Sequence, residues 1–181
     1  MKTEYEIRIL EIDVEKFIDE IKKLGAIKVG EWHQKRYVFD TKPKSESEWF
    51  RLRTNGEVTT LTYKNVEANT IDGTKELEIE VSNFYDTLSM MELLGYKHRA
   101  YQENKRLRYI LDNVEIDIDS WPLIPTYLEI EGPSEEAVYN TLKELGFDKN
   151  AATTRDVEGI YLDYGHDLNQ IYDLKLEEDR K

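Results

Sequence analysis

The chain has no cysteine, so disulfides, thiolate metal sites and cysteine nucleophiles are excluded together. It also lacks any apolar run near the roughly 20 residues that span a bilayer, and no membrane role is expected. Positive charge is scarce: 25 bases stand against 38 acids, a net charge of −13. Nucleic-acid backbones are normally met by a basic surface, so nucleic acid is not expected as a partner. Met1-Lys2-Thr3-Glu4 runs directly into a strand-like pattern with no secretion signal, and the cytoplasm is the expected location. There is no GxxxxGK[ST], HExxH or GxSxG motif, which disfavours P-loop, zincin and nucleophile-elbow chemistry. His33, His98 and His166 do not have metal-ligand spacing.

What is present reads as a folded globular protein: 39% hydrophobic and 35% charged residues, with 12 Tyr, 5 Phe and 3 Trp. The length of 181 residues predicts a single domain, 1–181, with a C-terminal helical segment over 150–181. Three segments share one plan. Asp13, Asn83 and Ser134 each lie twelve residues before a glycine, at Gly25, Gly95 and Gly146. Asp, Asn and Ser accept hydrogen bonds from the free N–H groups of a first turn, and glycine closes a helix in the left-handed conformation. Between these caps, Val14, Phe17, Ile18, Ile21 and Leu24 recur at helical spacing, as do Phe84, Leu88, Met91 and Leu94, and Val138, Leu142 and Leu145.

Most of the rest alternates with period two. Strands are expected at 3–11, 32–40, 49–54, 58–64, 75–81, 98–111, 114–120 and 126–131. Asn55-Gly56 is a strong hairpin signal and Asp112-Asn113 a weaker one. Trp121-Pro122-Leu123-Ile124-Pro125 is a break that cannot sit within a sheet. The order is strand, helix and three strands, repeated once, then a third helix, and an internal duplication would account for it. Two short helical stretches are expected in the tail, around 156–164 and 167–176. Eight mostly antiparallel strands with few helices predict an α+β fold built on a closed β-barrel.

The charged residues fall on one face of these strands. Glu4, Glu6 and Arg8 alternate with Tyr5, Ile7 and Ile9; Arg51 and Arg53 with Phe50 and Leu52; Lys64 with Tyr63. Glu78 and Glu80, Arg106 and Arg108, Asp117 and Asp119, and Glu129 and Glu131 repeat the pattern. An ordinary sheet with one wet face accounts for any single strand. Taken together, helices covering the apolar side would turn the charged side into a barrel interior lined with both signs. Such an interior is costly to bury dry and is expected to take a ligand. Carboxylates without thiolates suit Mg²⁺ or Mn²⁺, and clustered Arg and Lys suit phosphate oxygens. Tyr161, Tyr164 and Tyr172 are read as packing residues.

The ordered series Glu4-Tyr5-Glu6-Ile7-Arg8, Tyr37-Val38-Phe39-Asp40, Arg51-Leu52-Arg53, Lys64, Glu78-Ile79-Glu80, Arg106-Leu107-Arg108, Asp117-Ile118-Asp119 and Glu129-Ile130-Glu131 resembles the CYTH family. These are the triphosphate tunnel metalloenzymes, which include class IV adenylyl cyclases and thiamine triphosphatases. The resemblance runs over about residues 3–165 and implies an eight-stranded antiparallel barrel forming a tunnel, with paired barrels as a homodimer. It further implies that Glu4, Glu6, Glu129 and Glu131 hold divalent metal, with Asp117 and Asp119 binding metal or orienting the attacking group. Arg8, Arg51, Arg53, Lys64, Arg106 and Arg108 would bind the triphosphate of a small-molecule substrate, with Arg8, Lys64 and Asp119 catalytic and Glu78 and Glu80 in support. Arg8 stands where the family's ExExK signature has Lys, a planar fork in place of a point charge. The implied activity is metal-dependent cleavage of a phosphoanhydride bond: a triphosphatase, or alternatively an adenylyl cyclase. A non-catalytic binder of polyphosphate or nucleotides is the reading from a different class.

Overall fold

The computed structural model describes residues 1–177. The three capping residues act as their spacing predicts. Asp13 accepts from the backbone N–H of Lys16 (3.2 Å), Asn83 from Tyr85 and Asp86 (2.9 and 3.0 Å), and Ser134 from Ala137 (3.2 Å). They start α1 (Val14–Lys23), α2 (Phe84–Leu93) and α3 (Glu135–Glu144). Gly25, Gly95 and Gly146 end them at φ of +90°, +86° and +81°, a region closed to most side chains.

The strands are β1 (Lys2–Ile9), β2 (Ile27–Asp40), β3 (Glu48–Thr54), β4 (Thr59–Val66), β5 (Thr74–Glu80), β6 (His98–Leu111), β7 (Val114–Ser120) and β8 (Tyr127–Gly132). They pair antiparallel in the order β6-β2-β3-β4-β5-β1-β8-β7, and the β6–β7 ladder closes the barrel. Asp112 and Asn113 both have positive φ, 48° and 68°, and make the two-residue β6–β7 turn whose twist matches that of the strands it joins. The Asn55-Gly56 hairpin is looser, with Asn55 Oδ1 accepting from Glu57 N and Val58 N.

Exchanging β1 with β5, β2 with β6, β3 with β7 and β4 with β8 leaves the set of barrel pairings unchanged. The expected duplication is therefore mirrored in topology. β1 pairs with β5 and β8, both from the second half of the chain, and with none of β2–β4.

The main core lies outside the barrel, between the outer face of β1, β7 and β8 and the helices α1 and α3. It includes Ile7, Phe17, Ile21, Ile116, Ile130, Val138 and Leu142. A second cluster seats Phe84 and Met91 of α2 on Phe39 and Leu52. The sequence led us to expect helices over the apolar face, but they leave part of it open. Leu77 and Ile79 of β5 are 56% and 53% exposed, and Leu94 is 65% exposed, because α2 lies against β3 and leaves β5 open.

The tail forms a third core with the loop after β7. α4 (Val157–Asp163) brings Ile160 and Tyr161 against Trp121, Ile124, Tyr127, Leu168 and Leu174. The second helical stretch expected at 167–176 is corrected: Leu168–Gln170 is one 3-10 turn, followed by a two-residue strand. Before that turn, Ala152–Thr153 forms β9 against β1, and after it Asp173–Leu174 forms β10, parallel to β6. β7 takes β6 only from Lys105 onward, so the edge at Tyr101 and Gln102 is free to bond the tail in place of helix propagation. Residues 178–181, the end of the expected 150–181 segment, lie outside the described residues. Among the described residues no helix is long and apolar enough to cross a membrane.

Candidate active site

The strand faces carrying Glu4, Glu6 and Arg8, Arg51 and Arg53, Lys64, Glu78, Arg106 and Arg108, Asp119, and Glu129 and Glu131 all turn into the barrel. They line a cavity of about 300 Å³. Of the residues singled out in the sequence, Glu80 falls outside this lining and is exposed at the end of β5. Asp117 stands behind it, 2% exposed, gripping Arg108 through two bonds of 2.7 and 2.6 Å and Arg106 at 2.6 Å.

The bases are distributed among carboxylates. Arg106 is held by Asp117, Asp119 and Glu129, with Nε donating to Asp119 at 2.8 Å and Nη2 to Glu129 at 3.0 Å. Arg8 donates through Nε to Glu129 (2.9 Å), lies 3.0 Å from Glu6, and bonds the Arg155 carbonyl at 2.9 Å. A lysine carries no fork with which to make these contacts at once. Lys64 meets Glu4 at 2.8 Å and Glu76 at 3.4 Å, and Arg51 and Arg53 share Glu78 at 3.4 and 3.5 Å.

The strip formed by β1 and β8 carries excess negative charge. Glu6 faces Glu131 across the ladder, and Arg8 faces Glu129. Burial, followed by the charges of Glu4, Glu129, Glu6 and Glu115, raises Glu131 to about 7. Among the described residues no three acidic side chains converge as a ready cage, because Lys64 and Arg8 engage them instead. The donors nonetheless fit a hard divalent cation: all are oxygens, they sit on adjacent strands, and their mutual repulsion favours a positive ion. Glu4, Glu6 and Glu131 are the side chains that would hold it, with Glu129 beside them.

Several lining residues escaped the sequence reading. Glu76 lies two residues before Glu78 on the same face of β5, and the alternation extended one step back would have found it. Arg36 is hidden in Gln34-Lys35-Arg36, where both faces of β2 are polar and the period cannot be seen. Trp49, Val38, Val66 and Ala100 add an apolar section, Trp121 comes from the strand break and Tyr127 from the start of β8. The tail contributes Asp156, Val157, Glu158, Leu168 and Asn169 to the wall.

Glu103 fastens that tail at Leu176. It accepts from Leu176 N (3.2 Å) and Tyr101 Oη (2.6 Å) and lies 3.1 Å from His33 Nε2. Burial alone would raise its pKa, but these hydrogen bonds and His33 outweigh it and hold Glu103 below the usual carboxylate range. A lowered folded pKa gives stability that is present above the unfolded value and lost as pH falls through the folded one. The tail is therefore expected to stay docked at neutral pH and to lose hydrogen-exchange protection around Leu176 only as pH falls below the ordinary carboxylate range. Protection unchanged down to pH 2 would remove Glu103 as the clamp.

Comparison with known proteins agrees with this geometry. PH1012 from Pyrococcus horikoshii OT3 superposes with a TM-score of 0.74 at 21% identity, covering 87% of this chain and 98% of that one. A Vibrio parahaemolyticus protein provisionally designated an adenylate cyclase gives 0.75 at 13% identity, covering 89% and 98%. HpAC1 from Hippeastrum, described as having a dominant triphosphatase activity, gives 0.59 at 16%, covering 91% and 96%. No curated protein matches the chain. At these identities the likeness shows a shared fold. The family model for the CYTH domain matches residues 2–156, which takes in all eight barrel strands and every lumen carboxylate and base named from the sequence, and the chain belongs to the CYTH domain family.

Proposed function

We propose that this protein is a divalent-cation-dependent triphosphatase acting on a small-molecule triphosphate. One observation carries the reading: a strip of carboxylates on β1 and β8 shares a single cavity with bases from β2, β3, β4 and β6. Bound Mg²⁺ or Mn²⁺ would neutralise phosphate oxygens and polarise the phosphorus toward attack. Arg51, Arg53, Arg106, Arg108 and Lys64 would hold the phosphate chain extended and stabilise charge on the leaving oxygen. A water oxygen in line with the scissile bond forms the new P–O bond as the anhydride P–O bond breaks. Its proton passes to a carboxylate of the β1–β8 strip. Asp119 acts through Arg106, since it is 0% exposed and engaged by that guanidinium. Arg8, which the resemblance offers as a phosphate ligand, already has Glu6, Glu129 and the Arg155 carbonyl as partners and serves here to hold the acidic strip.

A specific observation favours cyclisation as the second reading. The apolar section at Val38, Trp49, Val66 and Ala100 offers an organic head group a surface that inorganic triphosphate does not need. A ³¹P NMR time course with Mg²⁺ and equal ATP and tripolyphosphate separates the two. Orthophosphate released first, from tripolyphosphate or from the γ-position of ATP, is the expected result. Pyrophosphate growing from ATP alone, with a cyclic phosphodiester signal, would establish the cyclase. No change in either substrate would overturn catalysis on triphosphates. A second copy of the chain is the macromolecular partner we favour, given the exposed apolar residues Leu77, Ile79, Tyr85 and Leu93, and its test is the mass in solution.

A further inference from the structure

Arg36 differs from every other base in the cavity. Among the described residues, Lys2, Arg8, Arg51, Arg53, Lys64, Arg99, Arg106 and Arg108 each lie within 4.0 Å of a carboxylate oxygen, and Arg36 does not. Its side chain lies in the wall of the cavity with the residue only 6% exposed. Its partners are neutral: Nη2 donates to Gln34 Oε1 (3.0 Å) and to Asn104 Oδ1, and Nε has no partner among the described residues. The guanidinium carbon stands 4.4 Å above the ring of Trp121, which meets Tyr161 of α4 edge-on at 6.2 Å. Burial, then repulsion from Arg51, Arg53 and Arg106, lowers its affinity for its own proton well below the usual Arg value, against the weaker pull of Asp119, which makes no ion pair with it.

A buried charge with no carboxylate in contact costs stability, and an apolar side chain of similar length would remove that cost. Keeping it makes sense if the counter-ion arrives from outside. We propose that Arg36 is the principal anion anchor of the cavity, a guanidinium held open by Gln34, Asn104 and Trp121 so that a phosphate group supplies its missing negative partner. This inference rests on the triphosphate reading of the same cavity. The other bases must exchange a carboxylate for phosphate and gain only the difference, whereas Arg36 gains the whole interaction.

The test measures two quantities on the full chain, thermal midpoint and affinity for sodium tripolyphosphate with Mg²⁺, for wild type, Arg36→Met and Arg36→Gln. The expected result is a pair of opposite changes. Without anion, both variants should melt no lower than wild type, and up to about 4 °C higher. Their affinity for tripolyphosphate should fall ~10–100-fold. A variant that melts well below wild type, or fails to fold, would make Arg36 a structural strut and overturn the proposal. Unchanged affinity in stable variants would overturn it as well, while leaving the cavity as an anion site. Wild type that does not bind tripolyphosphate would instead remove the triphosphate reading on which the proposal stands.

Discussion

Replacing Glu4 and Glu6 together by Gln should reduce metal-dependent turnover on the order of 10³-fold while leaving tripolyphosphate affinity equal or higher. The amides keep the size of the side chains, so the barrel is undisturbed, but two anionic oxygen donors vanish from the β1–β8 strip. Lys64, which now sits 2.8 Å from Glu4, is released toward phosphate, while Arg8 loses Glu6 at 3.0 Å but stays held by Glu129. Turnover and calorimetric binding measured on one preparation decide the point. An enzyme loses the first and keeps the second. A module that only captures polyphosphate has no turnover in the wild type to lose, and substantial activity surviving in the double variant would remove these carboxylates from the metal site.

The second large effect is on stability. Arg106→Met should cost about 3–5 kcal/mol and lower the thermal midpoint by roughly 10 °C. Arg106 neutralises three carboxylates, Asp117, Asp119 and Glu129, which are 2%, 0% and 6% exposed. Removing it leaves at least one buried negative charge without compensation. The same substitution at Arg36, one strand away, is expected to go in the opposite direction, so charge removal as such cannot be the cause. Adding Asp119→Asn to Arg106→Met should recover part of the loss, and a strictly additive double variant would show that the pair is not coupled.

The barrel was legible because its signals are local. Caps at fixed distances from glycines set three helices, and alternation set eight strands to within a few residues, except for β2, which begins five residues earlier than its apolar pattern shows. Ile27-Lys28-Val29-Gly30 pairs with the far end of β6, a long-range ladder that leaves no mark in the segment itself. Most of the lumen was legible for the same reason, since a residue's face follows from parity once the strand is known. Parity gives no partners, however. It placed Arg8 as a phosphate-binding cation and missed Arg36, although among the described residues the first is engaged by two carboxylates and the second by none. It also could not bring the tail into the wall, because Asp156, Val157 and Leu168 reach the cavity by packing Ile160 and Tyr161 on Trp121, across about forty residues of sequence.

The pairing of β1 with β5 and β8 has a consequence for how the protein holds together. Each half of the chain builds a three-stranded meander and gives its first strand to the other half: β1 joins the second, β5 the first. Neither half can complete its own hydrogen-bonding edges, so the two are interlocked like links of a chain and have no separate native state. The barrel should therefore unfold as one cooperative unit, and folding must wait for contacts between strands more than a hundred residues apart, such as Arg8 with Glu129. The acidic strip that would hold the metal exists only once that last distant ladder has formed.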